Sequence, residues 1–254
     1  MFFKKRIAPV IDATSPPTPV AEPPVAETPE IVTLRNMSTD RALWRLAGRG
    51  LDINTVIDVG ASNGMWSAVC EKHYPACHYL LVEAHEPHAE ALETYCAARP
   101  KAQYVLAVAG DECGEVHFYF DDRDLFAGAA SKIQIPGFAH KVVRQITIDK
   151  EIGTRALPGP YMVKLDTHGY EVPILLGAKE TLRKANLVVI ETYNFRIQGS
   201  SLLFHEMVAY MREGGFGVID MSEPLWREFD RALWQIDLFF VPLDRPEFRV
   251  NSFR

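Results

Sequence analysis

The sequence is short of cysteine, of positive charge and of long apolar runs. Four cysteines occur in 254 residues, and no two of them form a C-x-x-C pair. They indicate reduced thiols in a cytoplasmic protein rather than a disulfide framework. The formal net charge of -6 argues against a broad nucleic-acid-binding face. No apolar run reaches the length that a membrane-spanning helix needs.

Proline is concentrated near the N-terminus, between Pro9 and Glu30, where no aromatic residue occurs. Such a segment cannot build a core, so residues 1–30 are predicted to be a disordered tether. The basic start, M-F-F-K-K-R, lacks the apolar stretch of a signal peptide. It is either a solvated tail or a weak contact for an anionic membrane surface. The folded domain is predicted at 31–243, followed by a polar tail at 244–254.

The most informative stretch is T-V-I-D-V-G-A-S-N-G, from Thr55 to Gly64. Its apolar first half predicts a buried parallel strand, and a helix is predicted from Met65 to Lys72. A strand that ends in a tight glycine turn before a helix is typical of the ligand-binding corner of an open α/β sheet. The same pattern also occurs as an ordinary turn between a strand and a helix.

The loop lacks the middle glycine of the G-x-G-x-x-G fingerprint, and Asp58 places a carboxylate where a pyrophosphate would bind. An acidic residue there suits a ligand with a cationic amino-acid head, such as S-adenosylmethionine.

A second strand, Tyr79 to Glu83, ends in a carboxylate about 20 positions beyond the loop. A carboxylate at this spacing can accept hydrogen bonds from both ribose hydroxyls of a nucleoside. The end of the third predicted strand, at Ala107 and Val108, is expected near the adenine ring. The alternative for Glu83 is a solvated carboxylate at a strand end.

The stretch from Asp121 to Gly137 loses all periodicity and is predicted to be irregular. It is expected to be either a substrate lid or a surface insertion. Helices are predicted from Ser38 to Gly48, from Pro87 to Ala98 and from Leu202 to Glu213. Val142 to Ile148 is predicted to be a strand that ends in Asp149.

A second key stretch is Y-M-V-K-L-D-T-H-G-Y-E-V-P-I-L-L-G-A, from Tyr161 to Ala178. It predicts a strand over Tyr161 to Leu165 and a helix from Tyr170 to Leu182. Because the carboxyl ends of parallel strands meet at one crevice, Asp166 and His168 are expected to face the crevice of Gly60 and Glu83.

These motifs, together with L-V-E-A-H-E-P and V-V-I-E-T-Y, resemble the FkbM-type S-adenosylmethionine-dependent methyltransferases over roughly 37–242. The resemblance implies an α/β fold of class I methyltransferase (Rossmann-like) type. It has a mostly parallel seven-stranded sheet, an antiparallel last strand and helices on both faces. It also implies O-methylation of a hydroxyl, commonly on a sugar or natural product. Many relatives carry Glu where this chain has His168. The resemblance places the cofactor at Asp58, Gly60, Ser62, Asn63, Gly64 and Glu83. With Ala61 of the same loop, and with Ala107 and Val108 at the end of the third predicted strand, these are the predicted cofactor-binding residues.

The predicted catalytic residues are Asp166, His168 and Glu191. His168 is a candidate general base, since its pKa can lie near neutrality, and its alternative is a turn residue. Asp166 can orient His168, accept the proton itself, or bind a divalent ion with Glu191. The scattered histidines show no zinc-ligand spacing, so no metal site is predicted. The expected partner is a small-molecule or glycan acceptor. Two alternatives remain: an NAD-dependent sugar oxidoreductase and a non-catalytic protein with a methyltransferase fold.

Overall fold

The computed structural model of the protein describes residues 36–121, 123–199 and 201–253. The predicted N-terminal tether and the domain start predicted near Ile31 lie outside these ranges. No helix among the described residues is long and apolar enough to cross a membrane.

In the described part of the chain the strands are β1 (Thr55–Val59), β2 (His78–Glu83), β3 (Ala102–Leu106), β4 (Val108–Ala109), β5 (Gly114–Asp121), β6 (Asp124–Ser131), β7 (His140–Ile146), β8 (Tyr161–Leu165), β9 (Ala185–Tyr193), β10 (Phe216–Trp226) and β11 (Leu233–Pro242). The α-helices are α1 (Thr39–Ala47), α2 (Met65–Glu71), α3 (Ala89–Ala97), α4 (Ile148–Arg155), α5 (Glu171–Leu176), α6 (Lys179–Leu182) and α7 (Phe204–Glu213). Short 3-10 turns occur at Glu86–His88 and Pro246–Phe248.

The main sheet of the described residues has seven strands in the order β10-β11-β9-β8-β1-β2-β3. Strands β3, β2, β1, β8 and β9 run parallel, and β11 is antiparallel to both β9 and β10. The predicted class I methyltransferase fold, with its antiparallel last strand, is therefore confirmed. The order also reverses at β1 and β8, which is where ligands bind in open α/β sheets.

Each face of the main sheet buries its own apolar layer. One layer joins α1, α2 and α3 to the sheet through residues such as Leu43, Cys70 and Leu92. The other layer includes Ile148 of α4, Ile174 of α5 and Met207 of α7. A second, four-stranded sheet of order β4-β7-β5-β6 adds Val116 and Phe118 to this second layer. The small sheet therefore stands beside the carboxyl ends of the central strands.

Local signals explain several element boundaries. The Ser38 hydroxyl accepts a hydrogen bond from the Arg41 amide and caps α1, as its position predicts. Strands β1 and β8 match their predicted bounds because every residue in them is buried, and all of these residues except Thr55, Asp58 and Lys164 are apolar, which gives the signal of a central parallel strand.

Four predictions of secondary structure were wrong. The third predicted strand was expected to end at Ala107 and Val108, but β3 stops at Leu106, and Val108 begins β4 of the small sheet. Asp124–Ser131 forms strand β6, inside the stretch predicted to be irregular. The strand was missed because Leu125 and Phe126 are both apolar and both exposed, so the sequence does not alternate as a half-buried strand should. The strand predicted to end at Asp149 stops at Ile146, and Thr147 then caps helix α4. The helix predicted from Tyr170 to Leu182 is divided at Gly177, whose backbone packs directly against the Gly110 carbonyl.

The domain bounds at 31, 243 and 244 stay predictions. Within the predicted tail, the Phe248 ring packs over Gly217 of β10 and the Arg245 guanidinium pairs with Glu247 at 2.8 Å.

Candidate active site

The loop after β1 is fastened to the end of β2 by backbone hydrogen bonds. The amides of Gly60 and Ala61 both donate to the Val82 carbonyl, at 2.9 and 3.1 Å. The Ser62 amide donates to Oε2 of Glu83 at 2.7 Å. The loop and the carboxylate at the end of β2 therefore form one unit, although 21 residues separate Ser62 from Glu83.

Glu83 is almost fully buried, and its two oxygens are held by different amides. Oε2 accepts from Ser62, and Oε1 accepts from the His85 amide at 2.7 Å. Each carboxylate oxygen has a further lone pair, so the carboxylate can still accept from a ligand. Glu83 lines the cavity described next.

A cavity of about 320 Å³ lies at the carboxyl ends of β1, β2 and β8, between the main sheet and the small sheet. The sequence-predicted site residues that line it are Gly60, Ser62, Glu83, Ala107, Val108, Asp166, His168 and Glu191. The other four predicted residues, Asp58, Ala61, Asn63 and Gly64, lie outside its lining. The structure therefore brings the predicted catalytic residues and the carboxylate of β2 to one cavity, while the roles of all of them stay predictions.

Asp58, Asn63 and Gly64 lie behind the cavity wall and hold the turn between β1 and α2. The Asp58 side chain is fully buried, and its Oδ2 accepts from the Ser67 hydroxyl of α2 at 2.7 Å. Gly64 donates its amide to the Ala61 carbonyl, and the Asn63 side chain accepts from the Met65 amide at 3.1 Å. These contacts fix the turn from β1 into α2.

A buried lysine joins the two central strands under this turn. Lys164 Nζ lies 3.1 Å from Oδ1 of Asp58 and 3.3 Å from Oδ2 of Asp166, and it donates to the Gly60 carbonyl at 3.0 Å. Burial lowers the pKa of Lys164, but the charges of Asp58 and Asp166 outweigh that effect and raise it overall. Lys164 is therefore a fixed cation between the loop and the end of β8.

Asp166, His168 and Glu191 converge at the inner end of the cavity. His168 Nε2 lies 3.6 Å from Oδ1 of Asp166 and 3.7 Å from Oε2 of Glu191. One ligand atom from each residue falls within 4.8 Å of the others, so this set could hold a divalent ion.

The tautomer of His168 follows from its surroundings. Its Nδ1 lies 2.8 Å from the Gly128 carbonyl oxygen, which can only accept, so Nδ1 carries a hydrogen. In the neutral ring Nε2 then presents a lone pair toward the two carboxyl groups. His168 has φ 53°, in the left-handed region, and the Glu171 carboxylate holds its turn by accepting from the Gly169 amide at 2.8 Å.

The two carboxyl groups of this cluster differ in protonation. Burial, and then the Asp166 charge, raise the pKa of Glu191 to about 10. Burial also raises the pKa of Asp166, but the Lys164 charge acts against burial together with hydrogen bonds from Glu191 and Lys164, and the pKa is lowered overall. The Tyr193 hydroxyl and the Gln235 amide both donate to Glu191. Within this pair, Glu191 is therefore the carboxyl group that favours the protonated form, and Asp166 is the one that favours the ionised form.

Sequence reasoning missed two buried histidines of the cavity wall, His85 and His88. Their Nδ1 and Nε2 atoms lie 3.2 and 3.0 Å from the Leu125 carbonyl of β6. His88 Nε2 also lies 3.4 Å from the Ser62 hydroxyl. The available signal was their position directly after Glu83, in E-A-H-E-P-H. The hairpin β5–β6, which supplies Phe118, Phe126 and Gly128 to the wall, gave no such signal.

The chain is similar to several known proteins, each of them distant in sequence. The hexuronic acid methyltransferase AglP of Haloferax volcanii is 22% identical over 167 residues, which cover 65% of this chain and 66% of that protein. The chain thus spans slightly less than two thirds of this curated relative.

Two solved structures resemble the chain at low identity. The fibrillarin pre-rRNA processing protein of Methanococcus jannaschii gives a TM-score of 0.47 at 12% identity, over 77% of this chain and 73% of that chain. The magnesium protoporphyrin IX methyltransferase from Synechocystis PCC 6803 gives a TM-score of 0.45 at 10% identity, over 84% and 82%.

A family model for the methyltransferase FkbM domain matches residues 58–218, a span that runs from β1 into β10 and contains the cavity-lining residues named above, including Glu83, Asp166, His168 and Glu191. The chain belongs to the FkbM methyltransferase domain family.

Proposed function

We propose that the protein is an S-adenosylmethionine-dependent O-methyltransferase that acts on a hydroxyl of a sugar. One observation carries this proposal: Glu83 of β2 and the cluster of Asp166, His168 and Glu191 line the same cavity. The methyltransferase family supports the reaction type, and the name of the Haloferax relative supports a sugar acceptor.

The residues of the cavity fit the proposed cofactor. Glu83 keeps free lone pairs that can accept from ribose hydroxyls, and the small side chains of Ala107 and Val108 leave room for a flat ring. A Cβ at position 60 would lie 1.8 Å from the Asp166 carbonyl oxygen. Only glycine at this position therefore allows the loop to approach the end of β8 so closely. When bound, S-adenosylmethionine supplies an electrophilic methyl group on a cationic sulfur, which leaves as a neutral thioether.

The chain's own residues then handle the acceptor proton. A sugar hydroxyl is a weak nucleophile, and His168 Nε2 presents its lone pair inside the cavity, so it can take the proton as the oxygen gains the methyl group. The ionised Asp166, 3.6 Å from Nε2, stabilises the imidazolium that results. The Gly128 carbonyl keeps the ring oriented throughout.

Calorimetric titration with S-adenosylhomocysteine, with NAD as a comparison ligand, tests the proposal. We expect wild-type protein to bind S-adenosylhomocysteine and not NAD. Glu83→Gln should weaken binding about tenfold or more, because hydrogen bonds to a charged group contribute about 1.5–3 kcal/mol each. Glu86→Gln is the matched control, since the Glu86 side chain is 77% exposed.

Two results would contradict the proposal. Wild-type protein that binds NAD would support a sugar oxidoreductase. Wild-type protein that binds neither ligand would support a non-catalytic protein with a methyltransferase fold.

A further inference from the structure

A wider groove opens from the cavity toward solvent, along the hairpin β5–β6. Its walls include Tyr119, Phe126, Phe138, Tyr193, Trp234 and Gln198, and we call it the outer groove. It measures about 850 Å³ and shares Phe126, Gly128, His168 and Gln235 with the cavity. A molecule in the outer groove would therefore reach His168 directly.

Aromatic rings dominate the walls of the outer groove. Phe126 and Phe138 are 63% and 67% exposed, which is unusual for phenylalanine unless a ligand covers it. Trp234 stacks on Phe195 with ring centroids 5.6 Å apart and meets the Tyr193 ring edge-on at 5.9 Å. These rings are held in place and present apolar faces, which suit the C–H face of a pyranose ring.

The charged groups that line the groove are mostly acidic. Asp121 and Asp124 are carboxylates, and Arg123 is the cation among the described lining residues. The Arg123 guanidinium is already engaged, because its Nε and Nη2 donate to Asp121 at 2.9 and 2.7 Å. At the inner end, the charge of Asp166 is offset by Lys164 at 3.3 Å. A carboxylated ligand would therefore meet the Asp124 carboxylate and find no unengaged cation in the described lining.

The outer groove differs from the cavity in its size and in the position of its polar groups. It is more than twice as large as the cavity, and it remains open to solvent along the hairpin. Gln198 and Gln235 supply polar groups at its inner end, where they also contact the His168 carbonyl and the Glu191 carboxyl. The polar end is thus next to the reacting position, and the aromatic walls lie farther out.

We propose that the outer groove binds an uncharged sugar residue of a glycan, by stacking on Trp234 and its aromatic neighbours, and that it discriminates against hexuronic acids. This inference rests on the proposed function, since it names the acceptor class of that same site. It departs from the acceptor named for the Haloferax relative.

Matched pairs of methyl glycosides and methyl glycosiduronates, in the gluco, galacto and manno series, test the proposal on the full chain. Methyl transfer from S-adenosylmethionine is followed by formation of S-adenosylhomocysteine. We expect kcat/KM for the neutral member of the preferred series to exceed that of its uronate partner at least tenfold. Trp234→Ala should raise KM for the neutral glycoside about tenfold and leave the Kd of S-adenosylhomocysteine unchanged. Trp44→Ala is the control and should change neither, because Trp44 of α1 is 59% exposed and lines neither the cavity nor the outer groove.

A charge variant separates electrostatic discrimination from shape. Asp121→Asn releases Arg123 and should raise the ratio of kcat/KM for the uronate to kcat/KM for its neutral partner at least threefold. Uronates methylated as well as, or better than, their neutral partners would overturn the proposal. So would protein that binds S-adenosylhomocysteine and methylates no sugar of either kind, a result that leaves the cofactor site standing. Failure to bind S-adenosylhomocysteine would instead count against the proposed function itself.

Discussion

Lys164 lies directly beside Asp58 in the register of the two central strands, and its Nζ is 3.1 Å from Oδ1 of Asp58. Both side chains are almost completely buried. The same ammonium reaches Asp166 and the Gly60 carbonyl, so one cation fixes the loop after β1 to the strand end that carries the candidate catalytic residues. The pair therefore couples the two halves of the site.

Removal of this cation should destabilise the protein strongly. Lys164→Met leaves Asp58 and Asp166 without their shared partner, and an uncompensated buried charge costs about 3–5 kcal/mol. Urea unfolding at pH 7 measures the loss. The double variant Lys164→Met/Asp58→Asn, which removes one of the stranded charges, should recover at least about 1 kcal/mol of it. A single variant as stable as wild type would show that the ion pair contributes nothing.

A second prediction follows from the close approach of the Gly60 loop to the end of β8. Gly60 has φ +72°, and an added Cβ would lie 1.8 Å from the Asp166 carbonyl oxygen. Gly60→Ala should lower the free energy of unfolding by more than about 2 kcal/mol and abolish binding of S-adenosylhomocysteine, because the loop must move.

Gly50→Ala is its control. Gly50 has φ +65° and no atom within 4 Å of the added Cβ, so it isolates the backbone cost of about 1 kcal/mol. Equal losses for the two variants would mean that the contact with Asp166 is unimportant.

The sequence predicted the centre of this fold better than its edges. Strands β1 and β8 are buried on both faces, so apolar residues predominate in them although each also carries a charged residue, Asp58 or Lys164. Strand β6 was missed because one side of its hairpin faces solvent, where Leu125 and Phe126 do not alternate with polar residues. The outer groove depends on that hairpin and could not be foreseen without it.

The site was predictable in its residue types but not in its electrostatics. Asp166, His168, Glu191 and Glu83 stand at strand ends that the parallel order brings to one edge. The role of Lys164 was hidden, because it depends on the register that pairs Lys164 with Asp58 across β1 and β8. The pairing register of two strands that lie far apart in the chain cannot be read from the sequence of either strand alone.

The raised pKa of Glu191 predicts how stability depends on pH. Its folded pKa of about 10 exceeds the ordinary value of 4.5, so the folded state binds the extra proton between these values. Stability from this group is present below pH 4.5 and is lost as pH rises toward 10. Asp166, whose pKa is lowered, is ionised in both states above pH 5 and adds no slope there.

Comparison of wild type with Glu191→Gln isolates the effect of Glu191. From pH 5 to pH 8 the unfolding free energy of wild type should fall relative to the variant by about 1 kcal/mol per pH unit. Chemical denaturation at four pH values measures it. A difference that stays constant across this range would mean that Glu191 is ionised in the folded protein.

The charge balance of Asp166, His168 and Glu191 predicts that removal of divalent ions by a chelator leaves the rate of methyl transfer unchanged. Lys164 offsets Asp166 at 3.3 Å, and Glu191 keeps its own proton, so the chain's own groups compensate the cluster. We expect protein treated with EDTA and then desalted to retain its full rate of methyl transfer. Loss of activity that Mn²⁺ or Mg²⁺ restores would instead assign Asp166, His168 and Glu191 to a divalent ion.

The final prediction concerns His168 as the proton acceptor. His168→Asn removes the Nε2 lone pair but suits the position, because asparagine tolerates the left-handed backbone better than most residues. General base catalysis contributes about 10²–10⁴-fold, so kcat should fall by at least about 100-fold. The Kd of S-adenosylhomocysteine should stay within about twofold, since the variant leaves the Glu83 side of the cavity untouched. His205→Asn, on the outer helix α7, is the matched control and should retain full activity. A His168→Asn protein that keeps its kcat would move the proton transfer to Asp166, which lies 3.6 Å away in the same cavity.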